Sequence, residues 1–486
     1  MVGGRGARLR ASGVPAPTVP GSRVQFATLA AITVVTGVVS SLGAPLVPAI
    51  AAEQGVPLST AQWVLTIALL AGAVVTPVLG RLGTGRLRRP VVVSGLGVVL
   101  AGTVLAALPL GIGPMVLGRA LQGVGMALTP LAFAVARDLW SGQELLSRLA
   151  LLSVATVCSA GLGYPVSTLV AAHFGISGAY TFGALLVAAT TLLTLRHLPP
   201  ARDDGVQPVD VVGALLLCTG TLGFLLGVSQ GEHWGWTTPR TLGTGLGGLL
   251  LIGAWVGWSG RRTRRGRQPL VDLSLALRAG VRTPNAVTVA IGISLYGLFS
   301  MVVLLVQSDG SGGFGLDAGL AVSGLVLVPY AVASIAANRV AMYLARRVGT
   351  GLLLPVGCLV FGSASVLLAW RHDALWQALL AMALGGLGGG LTFSSMAMLI
   401  VPNVPAEETG SAMAFNQLLR YLAFSTGAAA AIALLAAYGG GEAGFVAVCL
   451  TMAGLCVVAA VGAAADRRPA PVLPSIALHN PSSSIE

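Results

Sequence analysis

The chain has 486 residues, of which 55% are hydrophobic and only 9% are charged, whereas soluble domains carry about 25% charged residues. This composition excludes an ordinary water-soluble domain and favours a membrane body, because charged side chains are costly in lipid. The net charge is +12 and no residue is lysine, which excludes a Walker A phosphate loop and therefore the ATPase of a pump.

Residues 1–23 are rich in Gly, Pro and Arg and predict a disordered cytoplasmic tail. The apolar run that follows is too long for a signal-peptide core and predicts the first transmembrane helix. From there on, apolar segments of about 20 residues, the length that crosses a bilayer core, follow one another with short breaks. Fourteen segments fit, namely 25–50, 62–81, 90–110, 113–137, 148–171, 175–196, 209–229, 241–260, 284–307, 318–338, 350–370, 374–401, 415–438 and 443–464. The polar residues 466–486 predict a second disordered cytoplasmic tail.

Arginines are concentrated in alternate loops between these segments. With the N-terminus in the cytoplasm, the basic loops, including the block 261–267, are cytoplasmic, and only Arg240 and Arg371 fall on the other side. This asymmetry predicts an even number of spans with both termini in the cytoplasm. The basic charge therefore indicates topology in a lipid bilayer, and no nucleic-acid partner is expected.

Two basic loops, 80–89 and 338–349, each follow the second helix of a six-helix set if the seventh and eighth helices are an insertion. Repeated halves are how many transporters build a substrate site near the bilayer midplane. The predicted fold is thus an all-α membrane protein with two six-helix bundles and two inserted helices. The predicted parts are the N-terminal bundle 24–198, the inserted pair with its basic loop 199–270, and the C-terminal bundle 271–465.

The fourth segment contains a charged motif, because residues 118–125 read GRALQGVG. Arg119 and Gln122 are three residues apart and share one helix face. A buried arginine costs at least roughly 2.5–3.5 kcal/mol unless its donors are satisfied. We predict that both side chains face a substrate cavity; the alternative is an arginine that caps backbone carbonyls and fixes packing.

This R-x-x-Q-G-x-G run resembles the helix 4 motif of the major facilitator superfamily. Residues 80–89 resemble the loop motif G-x-L-x-D-R-x-G-R-R of the same superfamily, with Thr84 in place of its Asp and Leu87 in place of its Gly. The resemblance covers nearly the whole chain and, with fourteen helices, is closest to the drug:proton antiporter branch. It implies a multi-pass transporter of the bacterial cytoplasmic membrane that exports drugs by alternating access, with protons as a candidate coupling ion.

The fifth segment resembles the antiporter motif G-x-x-x-G-P-x-x-G-G of that superfamily, although its last two glycines are absent. The matching residues are Gly161, Gly163, Tyr164 and Pro165. Glycine allows two helices to approach closely, and proline bends the helix and frees a carbonyl group. The two hypotheses, a contact on which the halves rock and a simple packing kink, are equally supported.

One departure from the branch bears on coupling. Its proton-coupled members carry an Asp in helix 1, but residues 39–45 here read VSSLGAP. No acidic residue lies well inside any predicted helix, and proton coupling commonly uses an intramembrane Asp, Glu or His. The sequence therefore weakens proton antiport more than transport, and without an acidic partner for Arg119 it predicts neutral or anionic substrates.

Three further groups of residues are candidates. Arg86, Arg88 or Arg89 is predicted to pair with Asp138 and form an inner gate, the alternative being an ordinary surface ion pair. Asn416 and Arg420 share a helix face and are predicted to be structural. Tyr296 is predicted to line the cavity, although a packed aromatic side chain is the simpler interpretation.

The predicted function is a secondary transporter that exports a small amphiphilic compound and is not an enzyme. The alternatives are a facilitator without proton coupling and a transport-inactive membrane sensor or scaffold. The run 243–248 fits G-x-G-x-x-G, but it lies in an apolar helix and not between a strand and a helix. No cofactor and no metal site is therefore predicted, and the expected partner is a small-molecule substrate.

Overall fold

A computed structural model describes residues 23–83, 87–140, 142–199, 210–267, 269–270, 273–278, 280–348, 350–400, 403–404 and 409–466. Nearly all of this part of the chain is helical. The helices are α1 (Arg23–Ser41), α2 (Val47–Gln54), α3 (Leu58–Ala61), α4 (Trp63–Leu82), α5 (Arg88–Ala107), α6 (Ile112–Gly123), α7 (Leu128–Leu139), α8 (Gly142–His197), α9 (Val211–Trp234), α10 (Pro239–Arg264), α11 (Leu273–Ala276), α12 (Arg282–Gln307), α13 (Leu320–Val326), α14 (Val328–Val348), α15 (Leu353–Trp370), α16 (Leu375–Ile400), α17 (Thr409–Ala437) and α18 (Gly441–Ala465). The two predicted tails lie almost entirely outside the described residues.

Within the described residues, 13 segments are long and apolar enough to cross a membrane. One of them, Leu162–His197, belongs to α8, which turns at Gly175, where φ is +74°. Before the turn Gly163 packs on Ser41, and after it the Tyr180 hydroxyl donates to the carbonyl of Leu42 (3.0 Å). The chain thus runs along α1 in one direction and returns in the other, so α8 supplies both the fifth and the sixth predicted spans.

The first predicted span, 25–50, lies within one segment of membrane length, Arg23–Gln54, but its helix is interrupted. Helix α1 ends at Ser41, and a 3₁₀ turn, Ala44–Leu46, precedes α2. Proline removes a backbone donor and clashes with the preceding helical turn, and Pro45 and Pro48 lie at this break. The chain is therefore irregular near one end of the first span, and α1 ends with carbonyl groups that need donors from elsewhere.

Two sets of helices pack in the same pattern. In the first set α1 packs on α8, α4 on α6, and α5 on both α6 and α8. In the last set α12 packs on α17 and α18, α14 on α16, and α15 on both α16 and α18. This correspondence is what a repeated six-helix unit would produce. We refer to α1–α8 as the first bundle and to α12–α18 as the second bundle.

The hairpin of α9 and α10 is held together by glycines. A Cβ atom at Gly227 would lie 2.8 Å from the Cα atom of Gly245, and one at Gly248 would overlap the backbone of α9. Small residues allow such close helix contact inside a membrane. Leu225 of the hairpin packs with Leu70 of α4 and Ala429 of α17, so the hairpin contacts both bundles.

Asp210 fixes the hairpin at its open end. Its carboxylate caps α9 by accepting from the Gly213 backbone N–H (3.0 Å) and also accepts from Trp258 Nε1 (3.0 Å) and the Leu270 backbone N–H (3.2 Å). Arg262 lies 3.5 Å away, and the residue is 1% exposed. One carboxylate therefore joins the start of α9, the end of α10 and the segment after it.

We expect Asp210→Ala to lower the free energy of unfolding by about 3 kcal/mol, because it leaves the half-buried Arg262 and the buried backbone N–H groups of Gly213 and Leu270 without their acceptor. The thermal unfolding of the purified protein in detergent measures this loss. Asp373→Ala, at an exposed loop position, is the matched control and should leave the melting temperature unchanged. Equal melting temperatures for the two variants would contradict the anchoring role.

Candidate functional site

Arg119 lies in the middle of the first bundle and is 1% exposed. Its Nε donates to the carbonyl of Val64 in α4 (2.8 Å), and its Nη1 donates to the carbonyl of Val39 in α1 (3.0 Å). The same Nη1 atom donates to Oε1 of Gln122 (2.6 Å). One guanidinium group thus joins α6 to both α1 and α4.

The contact with α1 falls at the helix break. The last carbonyl groups of a helix have no partner within it, and here side chains supply the donors. Val39 accepts from Arg119 (3.0 Å), Ser41 from Ser167 (3.5 Å) and Leu42 from Tyr180 (3.0 Å). A positive charge also interacts favourably with the C-terminal end of a helix dipole. Arg119 therefore stabilises irregular backbone within a span.

Gln122 is 3% exposed and accepts from Arg119, while its own Nε2 is buried without a hydrogen-bond partner among the described residues. In this conformation neither Arg119 nor Gln122 has appreciable open surface. The hydrogen bonds of Arg119 to the carbonyls of Val39 and Val64 agree with the alternative hypothesis, an arginine that caps backbone carbonyls and fixes packing. That Arg119 and Gln122 face the substrate cavity in another conformation of the transport cycle remains a prediction.

An aromatic cluster lies between the two bundles. Tyr164 comes from the first bundle and meets Phe299 edge-on, with 6.0 Å between ring centroids. Phe299 meets Tyr330 edge-on at 4.9 Å, and Tyr296 stacks on Phe424 at 4.4 Å. The ring of Phe393 lies 6.1 Å from that of Phe424. We call these six side chains the aromatic cluster: Tyr164, Tyr296, Phe299, Tyr330, Phe393 and Phe424.

Most of these rings keep some exposed surface. Phe299 is 3% exposed, but the other members are only partly buried. Aromatic side chains offer large apolar faces, and the tyrosine hydroxyls add polar groups. The cluster thus combines apolar surface and hydroxyl groups at the boundary between the bundles.

A polar group adjoins the aromatic cluster on α17. The side-chain amide of Asn416 donates to Asn285 Oδ1 (3.0 Å) and to the Thr288 hydroxyl (2.7 Å), which lie on α12. Asn416 in turn accepts from Arg420 (3.3 Å), whose guanidinium carbon lies 4.6 Å from the ring centre of Phe393. Asn416 therefore joins helices, as the structural hypothesis expects, while Arg420 reaches the aromatic cluster.

The bundles are joined by hydrogen bonds near the end that holds Gly175 and the loop 308–319. Gln62 donates to Ser300 (3.2 Å), and Gln307 donates to the carbonyl of Pro45 (2.8 Å). On the same side, Gly324 of α13 packs directly on the backbone of Tyr164. We call these contacts the closed side, because they bring the two bundles together there.

The predicted pair of Arg88 and Asp138 is present at the opposite end. Arg88 forms an ion pair with Asp138, and its Nε donates to the carbonyl of Gly83 (2.9 Å). Arg89 donates to the carbonyl of Leu195 (2.9 Å), and Arg86 lies outside the described residues. Both partners of the ion pair belong to the first bundle, so it fastens the loop after α4 to α7 and does not bridge the bundles here.

The residues of the antiporter-like motif make contacts of two kinds. A Cβ atom at Gly163 would lie 3.2 Å from the Cα atom of Val38, which places α8 tightly against α1. Pro165 is buried inside α8, and Tyr164 reaches Phe299 of the other bundle. Gly161 lies in the same helix. The motif therefore serves packing within one bundle and contact between the two.

Sequence reasoning found Tyr164 and Tyr296 but missed four members of the cluster, which are Phe299, Tyr330, Phe393 and Phe424. Each lies in an apolar helix where an aromatic residue is ordinary core. One sequence pattern could have indicated the cluster. Tyr296 and Phe299 are three residues apart and share a face of α12, and α17 carries the polar residues Asn416 and Arg420.

Comparison with known proteins agrees with this architecture. The sequence profile of the Major Facilitator Superfamily matches residues 29–428 and, in an overlapping match, 286–480. An uncharacterized MFS-type transporter of Bacillus subtilis, YvkA, is 24% identical over 413 residues, which is 82% of this chain and 89% of that protein. The multidrug efflux pump LfrA of Mycolicibacterium smegmatis is 27% identical over 420 residues, 83% of this chain and 79% of that protein. A probable actinorhodin transporter of Streptomyces coelicolor is 25% identical over 401 residues, 79% of this chain and 67% of that protein.

Solved structures share the fold at low sequence identity. A crystal structure of a peptide transporter, POT, in complex with sulfate superimposes with a TM-score of 0.67 at 15% identity, covering 92% of this chain and 96% of that one. The POT family transporter PepTSo gives a TM-score of 0.65 at 14% identity, with 92% and 98% covered.

Proposed function

The chain belongs to the Major Facilitator Superfamily and is a secondary transporter, not an enzyme, and we propose that it exports a small amphiphilic compound by alternating access. The aromatic cluster carries this proposal. It combines rings from both bundles, with Tyr164 on one side and Phe299 on the other. A site shared by two moving halves is the arrangement that alternating access requires. Efflux is the named activity of one relative, LfrA.

The closed side supports a rocking motion of the two bundles. Gln62–Ser300 and Gln307–Pro45 join the bundles by neutral hydrogen bonds. Hydrogen bonds between membrane helices contribute about 0.6 kcal/mol on average. A few such bonds are weak enough to open and reform in each transport cycle. We propose that they form the outer gate and that this conformation is closed to the outside.

The membrane arrangement is also part of the proposal. We propose that the chain lies in the bacterial cytoplasmic membrane, with both termini and the arginine-rich loops in the cytoplasm. The N-terminal bundle 24–198 and the C-terminal bundle 271–465 would rock against each other. The hairpin within 199–270 packs on both α4 and α17, which suits an element that stays attached to both during the motion.

Charge sets the expected substrate class. Arg420 contacts the aromatic cluster, Arg119 lies buried in the first bundle, and every acidic residue in the described part of the chain lies in a loop or near a helix end. A lipophilic cation would meet positive charge without a counter-ion, whereas a neutral or anionic compound would not. We propose that the substrate is neutral or anionic.

Because the described acidic residues lie in loops or near helix ends, a second candidate function is a facilitator that works without proton coupling. Coupling to protons commonly needs an ionisable group inside the membrane. Flux through reconstituted protein, measured with and without a pH gradient, separates the possibilities. Gradient-driven flux supports antiport, equal flux in both conditions supports the facilitator, and absence of flux contradicts transport altogether.

We propose that Arg88 and Asp138 shape the inner gate by fixing the loop after α4. Because the Asp138 side chain is 37% exposed, the pair should add under about 1 kcal/mol to stability. Asp138→Asn is therefore expected to slow transport several-fold while it changes the melting temperature little. The exchanged pair Arg88→Asp with Asp138→Arg should restore part of the flux. Full transport by Asp138→Asn would contradict the gate.

A further inference from the structure

Two arginines, Arg119 and Arg420, lie in apolar helices, and their hydrogen-bond donors are satisfied to different degrees. Arg119 donates to two backbone carbonyls and to Gln122 at 2.6–3.0 Å and is 1% exposed. Arg420 makes one longer hydrogen bond, to Asn416 at 3.3 Å, among the described residues. Its Nε is buried without a partner, and no described carboxylate forms an ion pair with it. Among the described residues, Arg420 thus has unused donors and no partner of opposite charge.

We propose that Arg420 recognises an anionic group, a carboxylate or sulfonate, on an aromatic substrate whose rings pack on the aromatic cluster. This inference rests on the proposed transport function and specifies its substrate class. A charge inside a membrane protein costs several kcal/mol unless it is compensated. A substrate anion would supply the compensation that the described part of the chain does not, which favours this site for function and not only for packing.

The side chain is also held in a suitable orientation. Its guanidinium carbon lies 4.6 Å from the ring centre of Phe393. A guanidinium that lies over a ring uses its face, so the N–H groups along its edge remain available to an anion. Asn416, which accepts a hydrogen bond from Arg420, is 0% exposed and donates to both Asn285 and Thr288. The group is therefore preorganised, which lowers the cost of binding.

The neighbouring rings provide the apolar part of the site. Phe393 lies 6.1 Å from Phe424, and Phe424 stacks on Tyr296 at 4.4 Å. A substrate whose anionic group binds Arg420 would therefore have the rings of Phe393 and Phe424 close enough to pack on its own aromatic ring. Arginine can donate two parallel N–H bonds to two oxygens of one anionic group, whereas a lysine is a single point charge. Arg420→Lys is therefore expected to bind the anion more weakly than the wild type does, although both side chains are positively charged.

The test compares 2-naphthalenesulfonate with 2-naphthalenesulfonamide, which share the ring and differ in charge. Their binding to the full-length protein in detergent is measured by titration calorimetry, and flux of the sulfonate is measured in proteoliposomes. We expect the wild type to prefer the sulfonate by at least about 10-fold, as a charge-assisted bidentate pair would produce. Arg420→Gln should bring this ratio close to one while it changes the affinity for the sulfonamide less than about 2-fold.

Arg371→Gln is the matched control, because Arg371 also lies over an aromatic ring, Trp370, but is exposed in a loop. It should keep the wild-type ratio. If Arg420→Gln fails to fold, Arg420→Lys carries the test, and undiminished sulfonate affinity in it would overturn the inference. A wild type without preference for the sulfonate, or an Arg420→Gln protein that keeps the preference, would overturn the inference alone. A wild type that moves no amphiphile would overturn the proposed function as well.

Discussion

Replacing Arg119 by glutamine is expected to abolish transport and to destabilise the first bundle. The substitution removes the donors that reach Val39 of α1 and Val64 of α4. Two interhelical hydrogen bonds at roughly 0.6–1.7 kcal/mol each, and the loss of a cation at the end of α1, put the cost at about 2–4 kcal/mol. The removal of a buried charge offsets part of this cost, so the net loss of stability lies at the lower end of the range for broken buried ion pairs.

The measurement is thermal unfolding in detergent, combined with flux in proteoliposomes. Arg119→Lys is expected to lose nearly as much stability and transport, because a single ammonium group cannot donate to both the Val39 and the Val64 carbonyl in the geometry of the guanidinium. Arg371→Gln, at an exposed position, should behave like the wild type. A stable Arg119→Gln protein that transports normally would show that the contacts with α1 and α4 are dispensable.

Replacing Gly324 by valine is expected to hold the closed side open. A Cβ atom at Gly324 would overlap the Thr168 hydroxyl and lie 2.7 Å from the backbone oxygen of Tyr164. Overpacking of this kind costs about 1–3 kcal/mol, which shifts a conformational equilibrium about 5- to 150-fold. The contact lies between the bundles and not inside one of them, so the variant should fold while transport falls at least about 10-fold.

The readout is the reactivity of a single cysteine, introduced as Ser300→Cys in a background without other cysteines, towards a membrane-impermeant maleimide. Ser300 is 8% exposed on the closed side, so the Gly324→Val background should raise its labelling rate. Gly319→Val is the matched control, since a Cβ there meets nothing within 4 Å. Equal labelling rates in the two backgrounds would contradict the outer gate.

The fold could be predicted largely because its signals are local in the sequence. Apolar segments of membrane length and the arginines between them define the spans, and α8 supplies the two expected spans by turning at Gly175. The pair of Arg88 and Asp138 was predictable for a similar reason, since opposite charges at the same end of neighbouring helices tend to meet. Its assignment to one bundle was not predictable, because which helices adjoin depends on packing.

The site was harder to predict because its contacts join distant parts of the chain. Arg119 pairs with backbone carbonyls, which every residue carries, so no sequence pattern indicates Val39 or Val64 as its partners. The aromatic cluster combines rings from α8, α12, α14, α16 and α17, and each ring alone looks like ordinary core. The unequal satisfaction of Arg119 and Arg420 is visible only from their hydrogen bonds.

Transport selectivity tests the central claim most directly. Purified protein in proteoliposomes is offered neutral, anionic and cationic amphiphiles of similar size, and the flux of each is compared with that into protein-free liposomes. We expect protein-dependent flux of neutral or anionic compounds, because Arg420 contacts the aromatic cluster and no described carboxylate forms an ion pair with Arg119 or Arg420. Flux confined to cationic dyes would contradict the assignment of the aromatic cluster and Arg420 as the substrate site.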